Sequence, residues 1–287
     1  MMKRLFTLFA SALMTMSLSA QSIWGDLNGD GEVNTGDVTV LYNIIFGTAA
    51  TIESTVFEVN GVTFKMLKVD GGTFQMGSAS GYRDEKPAHS VTLSDYYIGE
   101  TEVTQELWQA VMGSNYSYFK GDKRPMECIS WNDCQEFISK LNELTGQTFR
   151  MPTEAEWEFA ARGGMKSKGY TYSGSNNIDD VAWYYDNSYA KGSSSPDYGT
   201  HDVATKSPNE LGIYDMSGNV WEWCQDWYGS YSSIDQTNPL GPDSGLYRVF
   251  RGSSWDYGAD HCRTVNRGSD SPLDAGYCIG LRLALPL

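Results

Sequence analysis

After Val56, apolar and polar residues alternate along Phe57-Glu58-Val59 and again along Val62-Thr63-Phe64, with Asn60-Gly61 between them. A period of two marks a half-buried strand, and Asn-Gly between two such runs predicts a tight hairpin turn. Met66 to Val69, Gly72 to Gly77, Val91 to Leu93 and Tyr96 to Ile98 carry the same strand character. Three stretches change to helical spacing. Gln105 to Met112 follows Thr104 and stops at Gly113, and Trp131 to Leu144 follows Ser130. Glu154 to Arg162 follows Thr153, has Glu156 three residues on, and ends at Gly163-Gly164. Ser and Thr satisfy the first free N–H groups of a helix, a following Glu completes a capping box, and glycine closes the last turn. Trp157 and Ala161 lie four apart on one helical face, a spacing for packing.

Beyond Gly164 the periodicity gives way to turns, short strands and tryptophans. A long irregular stretch inside a compact domain needs staples, and aromatic clusters, disulfides and bound metal are all available. The densest chemistry is Gly212-Ile213-Tyr214-Asp215-Met216-Ser217-Gly218-Asn219-Val220-Trp221-Glu222-Trp223. Its glycines permit tight turns, which free carbonyls to face an ion. Calcium takes about six to eight oxygens. Asp215, the carbonyls of Gly218 and Val220, and Glu222 are therefore candidate calcium ligands, against the plainer reading of a turn with solvated acids.

The N-terminus reads differently. Lys3 and Arg4 precede a mostly apolar stretch from Leu5 to Leu18, and Ser19-Ala20 offers small residues for cleavage before Gln21. This is the pattern of a secretory signal over 1–20. The apolar run, about 14 residues, is shorter than the roughly 20 a membrane span needs. The expected location is secreted or periplasmic. Next, Asp26, Asn28, Asp30, Asn34 and Asp37 fall at the oxygen-donor positions of a calcium loop; Gly31 takes the sharp turn and Glu32 offers its carbonyl. Val38 to Phe46 then has one apolar face, ended by Gly47. The expected organisation is a signal over 1–20, an EF-hand-like loop and helix over 21–50, a linker over 51–56 and one large domain over 57–287.

Charge narrows the partners. The chain of 287 residues has a formal net charge of −15, which disfavours nucleic acid, whose phosphates need Lys and Arg. Five cysteines (Cys128, Cys134, Cys224, Cys262, Cys278) are available for disulfides in an exported protein, with one left over and no pairing fixed by spacing. There is no CxxC, and His89, His201 and His261 are widely separated, which gives zinc little support.

Several ordered segments together resemble the formylglycine-generating enzyme, or sulfatase-modifying factor, family. They are Gly72–Gly77, Asp84–Val91, Glu102–Thr104, Ile129–Asp133, Arg150–Gly164, Pro208–Trp223, Arg251–Trp255 and Gly280–Arg282. The resemblance implies an α+β, C-type-lectin-like fold with little regular secondary structure. It also implies a calcium at Asp215, Gly218, Val220 and Glu222. A second family calcium position falls on Val181, which has no donor, and Ser195, with Asp197 as a partial substitute. Enzymes of the family oxidise a sulfatase cysteine to formylglycine with molecular oxygen and a cuprous ion held by two cysteines five apart. Those positions are Tyr257 and Cys262 here, and a family active-site serine falls on Ser254. Soft copper prefers paired thiolates, so the pair is incomplete. Family members that make sulfur-containing histidine derivatives rely on a histidine-rich non-haem iron site from an additional domain, which the three scattered histidines here are not expected to supply. The loop at 26–37 resembles one repeat of a dockerin. Docking on a cohesin takes two repeats, and one is found.

The expectation is an exported calcium-binding protein of this family, acting as a binding or structural module toward protein, peptide or glycan. The alternative is an oxygen-dependent oxidase with a divergent metal site, in which copper would be the cofactor and Cys262 and Ser254 catalytic.

Overall fold

The computed structural model describes residues 53–287; the expected signal and the loop at 26–37 lie outside them. Strands β1 (Ser54–Val59) and β2 (Val62–Val69) form the expected hairpin, with Val59 opposite Val62. Asn60 and Gly61 both have positive φ, 50° and 83°, the geometry Asn-Gly supplies at least cost. β1 opens at Ser54, inside the stretch expected to be linker. Phe57 and Phe64 pair across the hairpin and pack on Phe149.

The described residues form three sheets. β1 and β2 continue through β5 (Tyr96–Gly99) to β11 (Ala284–Pro286), so the two ends of the domain share one sheet. β3 (Gly72–Met76), β4 (His89–Leu93) and β7 (Gln236–Thr237) form the second. β10 (Ile279–Leu281), β6 (Trp221–Trp227), β8 (Arg248–Arg251) and β9 (Arg267–Asp270) form the third, with β10 parallel to β6.

The three helices stand where the caps put them. In α1 (Gln105–Met112) the Thr104 side chain accepts from the Leu107 N–H. α2 (Trp131–Thr145) has a reciprocal Ser130/Asp133 box, and α3 (Glu154–Ala161) a Thr153/Glu156 box. α3 differs from the others in being buried along its whole length, its three glutamates included. Buried carboxylates need partners, and each has an arginine: Glu154 with Arg267, Glu156 with Arg150, and Glu158 with Arg251 and Arg162. The apolar core lies on either side, one cluster around α1 and α2 and another around α3.

The cysteines are unpaired. All five are free thiols, so the expected disulfides are corrected. Placement keeps three of them from pairing with one another: Cys134, Cys224 and Cys262 are each buried in a different apolar cluster. The irregular half is stapled instead by aromatic packing and buried hydrogen bonds. Asn209 alone accepts the N–H groups of Leu211 and Ile213 and donates to Ala160 and Ser173. Among the described residues no helix is long and apolar enough to cross a membrane.

Candidate functional site

The turn before β6 depends on positive φ at Asp215 (59°), Gly218 (85°) and Asn219 (60°). Gly218 also lies so close to the Trp183 carbonyl that any Cβ would collide with it. The turn delivers Glu222 to the interior, fully buried, where Gly280 of β10 is its register partner. Two residues past Gly280, Arg282 reaches back. Its Nη2 is 2.7 Å from Glu222 Oε1 and its Nε 2.9 Å from Oε2, and it also donates to the carbonyls of Gly99 and Tyr214. Trp157 Nε1 donates to Glu222 Oε2 at 2.6 Å.

Two more carboxylates share this interior. Glu102 accepts from Asn219 Nδ2 at 2.7 Å and from the Val220 N–H at 3.1 Å. Asp215 accepts from the Ala204 N–H at 2.7 Å. Burial, then the charges of Asp215 and Glu222, push the Glu102 carboxyl well above its ordinary range. Burial raises Asp215 to about 6. Burial opposes the charge on Arg282, and Glu222 beside it more than restores it. Three carboxyls thus share one guanidinium, which Glu222 takes, and the other two are held above their ordinary range, a cluster that a hard cation would help to ionise. Among the described residues no three His, Cys, Asp or Glu side chains converge to hold an ion by themselves. A calcium would need Asp215 and the carbonyls of Gly218 and Val220, with Glu222 sharing an oxygen already bonded to Trp157 or Arg282. The donor types fit. The second family position does not: Val181 is buried without a donor, and Ser195 Oγ accepts the Asp197 N–H.

The copper positions are separated by exposure. Cys262 is fully buried against Ala182 and Tyr184, and burial raises its thiol to about 12. Tyr257 is 41% exposed, its ring set edge-on to Trp221 and His261. Ser254 Oγ donates to Asp256 Oδ1 at 2.6 Å. A neutral thiol paired with a surface phenol does not fit a cuprous ion, which binds thiolates. The histidines are likewise apart: His201 stacks on Trp183, His89 packs on Tyr231, and His261 stands near Tyr82.

Around Tyr257 the chain assembles an aromatic face. Buried Trp255 carries Tyr198, Tyr189 and Tyr277 at ring separations of 5.0, 5.7 and 5.9 Å. Tyr118 extends the face beside Tyr277, and Tyr185 stacks on Tyr189. Tyr118 and Tyr277 are 70% and 47% exposed, so the rings meet solvent. Sequence reasoning singled out none of these tyrosines, nor Glu102 and Arg282 as parts of the carboxylate site. Tyr118 and Tyr277 come from distant segments with no local motif, and Glu102 meets Asn219 across 117 positions.

Comparison with known proteins agrees with this architecture. Residues 54–287 match the sulfatase-modifying factor enzyme 1-like domain model. The chain is 38% identical over 237 residues to the chaperone protein LppX of Paenibacillus barcinonensis, covering 68% of this chain and 79% of that one. It is 27% identical to the formylglycine-generating enzyme of Streptomyces coelicolor, covering 76% and 88%. It also matches the serine/threonine-protein kinase pkn1 of Chlamydia pneumoniae, at 29% identity, and spans only 38% of that length. The solved structure of Treponema denticola variable protein 1 superposes with a TM-score of 0.75 at 35% identity, covering 83% of this chain and all of that one. The chain belongs to the sulfatase-modifying factor, or formylglycine-generating enzyme, family, with the sheet-rich α+β fold of that group.

Proposed function

We propose that this chain is an exported binding module of the family, stabilised by calcium and without oxidase activity. Its binding face is the aromatic surface around Trp255, and its partner is an exposed peptide segment of another protein. The observation that carries this reading is the state of Cys262: a single buried thiol raised to about 12, with Tyr257 where a second thiolate would stand. The exposed rings of Tyr118, Tyr189 and Tyr277 supply contact area at low entropic cost. Calcium is assigned to Asp215, Gly218, Val220 and Glu222, and to the dockerin-like loop at 26–37. Export rests on the pattern over 1–20.

The test has two arms. Purified protein is incubated in air with copper and a Cys-x-Pro-x-Arg peptide, and the product is read by mass spectrometry. No formylglycine should form. In the second arm, peptide and glycan arrays are probed with the native chain and with Tyr189→Ala/Tyr277→Ala. Peptide signals that vanish in the variant support the reading, and glycan signals that vanish would redirect it to carbohydrate. Formylglycine product would overturn it in favour of the second reading, an oxygen-dependent oxidase with a divergent metal site. That second reading is favoured by the likeness to the Streptomyces enzyme.

A further inference from the structure

On another part of the domain, a cavity of about 270 Å³ opens between the N-terminus of α3, the end of β6, His89 of β4 and the loop after Tyr228. Its walls mix apolar surface (Met76, Ala155, Pro242) with a few polar groups. Most of those groups are already matched. Glu154 takes Arg267 on both oxygens, at 2.6 and 2.7 Å, and the Tyr231 hydroxyl at 3.1 Å. His89 Nδ1 lies 3.1 Å from the Pro87 carbonyl.

Asp226 is the exception. Its side chain lines the cavity and the residue is only 4% exposed. Oδ2 accepts the Glu154 N–H at 2.8 Å, and no donor among the described residues reaches Oδ1. The roof is shaped to lie against this carboxyl: Gly241 has φ 73°, and a Cβ there would come 3.0 Å from Oδ1. Oδ1 keeps contact with the cavity rather than being sealed in, and a carboxylate set this deep is costly unless something in the cavity donates to it. The neighbours do not neutralise it. Glu154 and Glu156 of α3 add negative charge, Arg267 of β9 is committed to Glu154, and Arg248 of β8 acts only at long range.

We propose that this cavity binds a primary ammonium group on a short apolar stem, with Asp226 Oδ1 as its counter-ion and acceptor. An ammonium brings three donors and the positive charge that the cavity lacks. The apolar walls accept the stem. The group is either free, as an alkylamine, or the end of a lysine side chain, and the two sources are separable by experiment. Burial, with Glu154 next, raises the Asp226 carboxyl to about 8, so at neutral pH it holds a proton when the cavity is empty. Binding therefore expels that proton to solvent and strengthens as pH rises toward about 8.

The experiment is calorimetric titration of the full chain with n-butylammonium, with Nα-acetyl-lysine methylamide and with n-butanol. Each is run at pH 7 in two buffers of different ionisation enthalpy. The expected result is binding of one or both amines, with release of most of one proton, and none of the alcohol. A preference for the lysine derivative assigns the site to a protein partner, and a preference for butylammonium to a free amine. Asp226→Asn, which keeps the shape and the Glu154 bond, should weaken binding at least about tenfold and abolish proton release. Ser232→Trp, which adds bulk at a lining position and leaves Asp226 intact, should also block binding. Failure of both amines to bind, equal binding of butanol, or undiminished binding by Asp226→Asn would each overturn the proposal.

Discussion

Arg282 and Glu222 form a two-pronged ion pair with neither side chain exposed, across the parallel pairing of β10 and β6. Arg282 is the guanidinium that Glu102, Asp215 and Glu222 share. Its remaining N–H groups hold the Gly99 and Tyr214 carbonyls, so one side chain ties β5, the turn before β6 and the C-terminal strands together.

Replacing it should be severe. Arg282→Met leaves the buried Glu222 carboxylate without its counter-charge, and breaking a buried pair costs roughly 3–5 kcal/mol. Urea unfolding should show a lower midpoint. Arg282→Met combined with Glu222→Gln should recover part of the loss, because the orphaned charge goes with it. A double variant no more stable than the single would mean that the pair acts through packing alone.

Stability should depend on pH in an unusual direction. Asp215, at about 6, and Asp226, at about 8, hold protons more tightly in the fold than in an unfolded chain, where a carboxyl titrates near 4. The stability they contribute is present below about pH 4. It is lost as pH rises, through about 6 for Asp215 and about 8 for Asp226. In EDTA, the melting temperature should fall between pH 6 and 8, and Asp226→Asn should flatten that limb. A limb unchanged in the variant would assign the loss to other groups.

Thiol labelling tests the cysteine arrangement. Cys134, Cys224 and Cys262 are fully buried, while Cys128 and Cys278 are partly exposed with thiols raised to about 12 by burial. The thiolate is the reactive form. Native protein at pH 8 should therefore react slowly at Cys128 and Cys278 only, and at all five cysteines once unfolded. Fast labelling of Cys262 would contradict its burial and reopen the copper question.

Local signals in the chain carried much of the architecture. The Asn60-Gly61 turn and the Thr104, Ser130 and Thr153 caps each act within four residues, so their elements stand where the pattern put them. The family resemblance extended this to the fold over 57–287, and the family model matches 54–287. Long-range pairings were not legible. Arg282 looks like any arginine until β10 lies beside β6, and Glu154, Glu156 and Glu158 look solvent-facing until four arginines close on α3. The expected disulfides failed for the same reason, since cysteine count says nothing about which apolar cluster each thiol joins.

Calcium is the last expectation to test, and removing 1–51 separates its two assigned sites. A chain beginning at Ile52 keeps every described element, and Asp215, Gly218, Val220 and Glu222 with them. It should bind about one calcium per chain, and the full chain should bind more, the difference belonging to the loop at 26–37. Binding to the shorter chain should strengthen as pH rises through about 6, because Asp215 must ionise to coordinate. Saturating calcium should then raise its melting temperature, since a ligand that binds only the folded state stabilises it by mass action. Asp215→Asn should lower calcium affinity in the shorter chain while removing a charge that the apo fold does not neutralise, so its melting temperature in EDTA should rise. A folded short chain that binds no calcium would remove the ion from the turn before β6 and leave its three carboxyls to Arg282 and the neutral donors Asn219, Val220, Ala204 and Trp157.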